Sequence, residues 1–169
     1  MKIILTGFMG AGKSTVGLLL SEKLGVPLIE TDDLVLAHSG RGSISEIFEK
    51  DGEEHFRALE LAVAGELRER GDCVISTGGG LGVNEAGLKK MRSGGTVVFL
   101  DTSFETAKIR LGNEKSRPKF EDKKAAEALF AEREAAYRRL SNVAVPTDGR
   151  TPDEVAGAVL ATVMSTPPL

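Results

Sequence analysis

Residues 7 to 14 read Gly7-Phe8-Met9-Gly10-Ala11-Gly12-Lys13-Ser14, a complete G-x-x-x-x-G-K-[ST] segment. The apolar run Ile3, Ile4, Leu5 precedes it, and Val16, Leu19, Leu20 and Leu24 follow at helical spacing. A strand must therefore turn through a glycine loop straight into a helix, which is the context this motif requires. There the glycines let successive backbone N–H groups turn inward around a phosphate, and the helix starting near Lys13 adds its partial positive end. Lys13 carries a compact charge that can reach the β- and γ-phosphates, and the Ser14 hydroxyl is placed to ligate Mg²⁺. An ordinary glycine turn needs neither group, so the chain is read as built around a polyphosphate.

The remaining pattern sets the fold around that loop. Strand-like runs occur at Lys2 to Leu5, Pro27 to Glu30, Cys73 to Ser76, Thr96 to Leu100 and Asn142 to Val145, with helical patterns between them. Strands alternating with helices predict a five-stranded parallel sheet covered on both faces, a three-layer α/β/α domain over residues 1–169. A long helical stretch from about Ser43 to Arg70 is expected to break near Asp51-Gly52. Another runs from about Lys123 to Leu140, and a last one starts at Thr151-Pro152-Asp153, with proline at the first helical position. The tail from Ser165 to Leu169 is expected to fray.

Composition narrows the partners. A net charge of −3 and a pI near 5.5 offer no electrostatic case for nucleic acid or an anionic membrane. No apolar run approaches spanning length, and Lys2 leads directly into a strand instead of a secretory pattern. Cys73 is the only cysteine, which favours a reducing, cytoplasmic setting and a buried structural thiol. Without a sustained heptad seam, a monomer is expected.

Many phosphate-loop enzymes hold the metal with an aspartate at the end of an apolar strand, but Val74-Ile75-Ser76-Thr77 ends in hydroxyls and then Gly78-Gly79-Gly80. Acid is available instead after the second strand, where Leu28-Ile29 runs into Glu30-Thr31-Asp32-Asp33. Continued strand alternation puts Glu30 and Asp32 on one side and Thr31 on the other, with both carboxylates toward the phosphate end of the sheet. Asp32 or Asp33 can equally cap the helix that follows. Arg57, Arg117 and Arg138 each stand beside residues able to fix them, and a guanidinium fork suits a carboxylate or phosphate; singly, each also suits a solvated helix surface.

As an ordered set, these segments resemble the shikimate kinase family nearly end to end. The resemblance rests on residues 7–15, Thr31-Asp32, Ile47-Phe48, Gly52-Glu53, Phe56-Arg57, Gly78-Gly79-Gly80, Arg117-Pro118 and Tyr137-Arg138. It implies a fold like the nucleoside monophosphate kinases and ATP-dependent phosphorylation of the 3-hydroxyl of shikimate, giving shikimate 3-phosphate and ADP. ATP would lie on Gly10, Ala11, Gly12, Lys13, Ser14 and Thr15, with Arg110 and Arg150 near the adenine and Arg117 descending on the phosphates. Mg²⁺ would sit on Ser14, with Glu30 in its outer shell. Arg57 and Arg138 would hold the substrate carboxylate, while Asp32 and the Gly78-Gly79-Gly80 segment would meet the hydroxyls and ring. Lys13, Asp32 and Arg117 would carry the chemistry.

The same resemblance makes residues 31–60 the substrate-binding region and 112–122 a lid. The lid has a physical basis of its own, since Gly112-Asn113-Glu114-Lys115-Ser116 is polar without an apolar period. Two departures stand out. Glu30 replaces the family's usual aspartate, and Lys119-Phe120 follows Arg117-Pro118 where leucines are common. A gluconate-type sugar-acid kinase on the same core, and an ATP-binding regulator that transfers nothing, are the alternatives.

Overall fold

The computed structural model describes residues 1–112 and 123–165. Its strands are β1 (Lys2–Thr6), β2 (Leu28–Glu30), β3 (Cys73–Ser76), β4 (Gly95–Asp101) and β5 (Val143–Pro146). They form one parallel sheet in the order β2-β3-β1-β4-β5. The helices between and after them are α1 (Lys13–Leu24), α2 (Thr31–Ser39), α3 (Ile44–Leu67), α4 (Glu85–Met91), α5 (Phe104–Leu111), α6 (Lys123–Leu140) and α7 (Pro152–Ser165).

Strand alternation divides the core into two layers. Ile3 and Leu5 of β1 face one side, where they pack with Val98 and Leu100 against Val16 and Leu20 of α1 and Val155, Val159 and Val163 of α7. Ile4 faces the other, with Ile75 and Val97, against Val35 of α2, Ile47, Phe56, Val63 and Leu67 of α3, and Leu88 and Met91 of α4. Strands apolar on both faces are what a parallel sheet covered twice demands, and the three-layer expectation holds. A third, aromatic cluster of Phe8, Phe99 and Tyr137, joined by Phe130, fastens α6 beside the carboxyl ends of β1 and β4. The break expected in the long helix falls at Gly52, whose φ of 85° interrupts α3.

One element differs from the sequence reading. The strand period stops at Glu30, and Thr31 opens α2. Thr31 is buried, its hydroxyl accepting from the Gly78 N–H at 2.8 Å, so the chain turns there to join β2 to the loop after β3. Asp32 and Asp33 therefore occupy the first helical turn, where the helix dipole favours carboxylates, and neither is the residue preceding the helix, which is Glu30.

At the opposite end of the sheet, Lys2 is buried and donates to the carbonyls of Leu67 (3.1 Å), Arg68 (3.0 Å), Met91 (3.4 Å) and Ser93 (3.5 Å). One ammonium thus satisfies carbonyls at the ends of both α3 and α4, groups that no helical N–H can reach. Lys2→Met keeps the apolar stem and removes the donor, leaving Leu67 O with only its bond from the Arg70 N–H at 3.3 Å. It is expected to lose about 2 kcal/mol of stability in urea unfolding; a loss below about 0.5 kcal/mol would contradict this role.

Candidate active site

β1 and β3 are paired in register, Leu5 opposite Ser76, so the phosphate loop and the glycine triplet leave the same sheet edge side by side. The carboxyl ends of adjacent parallel strands are where open α/β sheets bind ligands. The loop closes on itself through Ala11 N–H to the Phe8 carbonyl at 3.1 Å. Gly12 takes a φ of 89° immediately before α1, and no side chain caps that helix. No acid lies in its first turn, so the amide ends face outward together with exposed Ser14 and Thr15. Lys13 folds back over the loop, donating to Gly7 O at 2.8 Å and Phe8 O at 3.2 Å. These are the groups a polyphosphate would engage.

The triplet is where three charged side chains meet. A Cβ on Gly78 would overlap the Asp32 carboxylate, and one on Gly80 would overlap the Arg57 guanidinium. On Gly79 it would come within 2.8 Å of an Arg133 nitrogen. Glycine is needed here for close approach, since none of the three has a positive φ. One carboxylate and two guanidiniums thus converge on bare backbone, from α2, α3 and α6 respectively. A small anion bearing hydroxyls matches that set, because the arginine forks suit a carboxylate and the aspartate accepts from hydroxyls.

Glu60 supports Arg57. It is fully buried, accepts from Arg57 at 2.6 Å, and lies one helical turn along α3. The exposed Glu53 adds a longer contact at 3.4 Å, and the Arg57 guanidinium sits 5.3 Å from the Phe56 ring. Burial pushes the Glu60 carboxyl above its ordinary range, with the nearby charge of Asp32 adding to the rise and Arg57 opposing it. For a raised carboxyl, the folded state holds its proton where the unfolded state has released it. Stability then falls as pH climbs from the ordinary glutamate range through the folded value. The stability difference between wild type and Glu60→Gln should shift in that sense in pH-dependent urea unfolding, wild type losing ground as pH rises. A difference independent of pH would contradict it.

The other expected site residues fall in different places. Arg138 is exposed on α6, donating to Asp101 at 2.8 Å and Glu134 at 3.2 Å over the Phe99 ring. It is not among the groups packed on the triplet; Arg133, five residues earlier on another face of α6, is. Arg110 braces the loop from behind, donating to Gly10 O at 3.2 Å and Ala11 O at 3.4 Å as well as to Thr147. Arg150 is exposed, with its backbone N–H on Thr147 O. Glu30 ends β2, partly buried. Arg117 lies outside the described residues, as does all of the expected lid except Gly112.

Arg133, Glu60 and Tyr137 were not singled out for these roles from sequence alone. Arg133 and Tyr137 stand four apart and share one face of α6, a spacing that was available as a signal. Glu60 follows Arg57 by three, which looks like any surface pair until its burial is seen.

The shikimate kinase family model matches residues 9–164. A shikimate kinase from Aquifex aeolicus is 44% identical over 161 residues, covering 95% of this chain and 94% of that protein. A crystal structure of the Aquifex aeolicus enzyme superposes with a TM-score of 0.86 at 42% identity, covering 98% of this chain and 97% of that one. The Acinetobacter baumannii shikimate kinase, solved in complex with shikimate, also gives 0.86 at 32% identity, with 97% and 93% covered. Both the sequence and the fold agree over almost their full length, and the chain belongs to the shikimate kinase family.

Proposed function

We propose that this chain transfers the γ-phosphoryl group of ATP to the 3-hydroxyl of shikimate, giving shikimate 3-phosphate and ADP on the route to the aromatic amino acids. The observation that carries it is the glycine triplet ringed by Asp32, Arg57 and Arg133 beside the phosphate loop. Arg57 and Arg133 bind the acceptor's carboxylate. Asp32 and the Gly79 backbone take its hydroxyls, and the missing side chains at Gly78, Gly79 and Gly80 let its ring approach. Arg133 here takes the place first given to Arg138, which is engaged with Asp101.

Phosphoryl transfer passes through a loose transition state with charge spread over the equatorial oxygens, so positioning and charge stabilisation dominate. Lys13 supplies positive charge from the loop, and Arg117 would supply more from the segment 112–122, closing over ATP to exclude water. Asp32 orients the acceptor hydroxyl and accepts its proton as the new O–P bond forms. Among the described residues no group of three or more His, Cys, Asp or Glu could hold a metal. The exposed Ser14 hydroxyl at the loop is a hard oxygen donor and a sparse one, which fits Mg²⁺ that keeps waters and phosphates as its other ligands, and Glu30 would serve its outer shell as the resemblance implies. When bound, Mg²⁺ neutralises charge on the β- and γ-phosphates. Arg110, which touches both the loop and Thr147, and Arg150, whose backbone N–H is on Thr147 O, would lie near the adenine.

Residues 1–169 form one catalytic domain, with 31–60 as the acceptor region, acting as a monomer in the cytoplasm with no nucleic-acid or membrane partner. Among the described residues no helix is long and apolar enough to cross a membrane. Coupled ADP release with shikimate, with gluconate and without acceptor tests the reading. Mg²⁺-dependent turnover on shikimate alone is expected. Turnover on gluconate would replace it with the sugar-acid kinase, and no ADP release under any of the three conditions would replace it with the ATP-binding regulator.

A further inference from the structure

We propose that Tyr137 is a positioning residue for the acceptor: its phenol oxygen ties Arg133 to the Gly79 carbonyl and so fixes both the guanidinium and the peptide plane beneath the substrate. The proposal rests on the acceptor assignment above. Tyr137 is 1% exposed, and its hydroxyl donates to Gly79 O at 3.0 Å. Its ring stacks on Phe99 with centroids 5.5 Å apart and planes 23° from parallel, which leaves the phenol little freedom.

The open face of Gly79 has Arg133 and the Tyr137 oxygen crowded against it, at 2.8 and 3.7 Å from where a Cβ would stand. Because the phenol proton is given to Gly79 O, its oxygen is left to accept from the Arg133 guanidinium, which hydrogen-bonds it. In a planar trans peptide the carbonyl and the next N–H point in opposite directions, and the described chain has no cis peptide. Pinning Gly79 C=O toward α6 therefore turns the Gly80 N–H away from α6, and both ends of that peptide are set by one hydroxyl. Burial pushes the Tyr137 phenol up to about 12, so it remains a donor at any working pH.

Tyr137→Phe removes only the oxygen and keeps the stacked ring. In the full-length chain, KM for shikimate should rise about tenfold, the worth of one hydrogen bond to a charged group, while KM for ATP stays unchanged and kcat falls little. A merely structural role would lower the melting temperature and leave KM alone. Added to Arg133→Ala, the second change should cost clearly less than its own tenfold, since the share that acts through the guanidinium is already lost and only the hold on the Gly79 carbonyl remains to be removed. An unchanged shikimate KM, or effects that multiply, would overturn the proposal. A wild type that releases no ADP with shikimate would refute the function itself, and this role with it.

Tyr137 is also the only tyrosine of the chain. Incorporated 3-fluorotyrosine therefore gives a single ¹⁹F resonance at this hydroxyl without any substitution. Shikimate at saturation should move it. A resonance that stays put would overturn the proposal even if Tyr137→Phe did not fold.

Discussion

Asp32→Asn is expected to lower kcat at least a hundredfold while leaving the fold intact. The carboxylate is exposed on the first turn of α2 and lies against Gly78, so it faces the acceptor side of the triplet. Asparagine preserves shape and hydrogen bonding but cannot take the hydroxyl proton. General-base assistance contributes about 10² to 10⁴ in rate; a loose transition state delays proton transfer and places the loss toward the lower end. The stability term is small by comparison, since a carboxylate in an exposed first helical turn contributes only about 0.3 to 1 kcal/mol. Coupled ADP release and a thermal melt on the same preparation separate the two. A kcat within about twofold of wild type would remove Asp32 from the chemistry.

The two arginines of α6 should part company. Arg133→Ala is expected to lower kcat/KM for shikimate roughly 30-fold, equivalent to about 2 kcal/mol for a lost charge-assisted bond to a carboxylate. Arg138→Ala should stay within about threefold, because its partners Asp101 and Glu134 form a surface network and exposed pairs are worth about 0 to 1 kcal/mol. The reverse ranking in steady-state kinetics would restore Arg138 as the carboxylate ligand and detach the triplet geometry from acceptor binding.

That pair of residues also shows what a sequence can and cannot reveal. The phosphate loop was legible because its residue types have no structural use in that combination, and the five parallel strands of the reading survived because apolar runs of β type alternate so regularly with helices. The kink at Gly52 and the start of α7 at Pro152 were legible for local reasons, a glycine conformation and a proline-compatible first turn. Choosing among Arg133, Arg138 and Arg139 required knowing how α6 is rotated, and that is fixed by Tyr137 and Phe130 packing on Phe99 and Phe8, contacts between distant segments. Thr31 misled for a related reason. Its hydroxyl reaches across 47 positions to Gly78, and that tertiary bond, not local period, marks where β2 ends. Glu60 looked like half of an ordinary helix pair, and only the core around it reveals a buried acid holding Arg57.

The most direct test is the identity of the product. Incubated with ATP, Mg²⁺ and shikimate, the protein should yield a single phosphate ester whose ³¹P resonance couples to the proton on C3 of the ring. Esterification at another hydroxyl, or ADP formed with inorganic phosphate and no ester, would contradict an acceptor held between Arg57 and Arg133 with its 3-hydroxyl on Asp32.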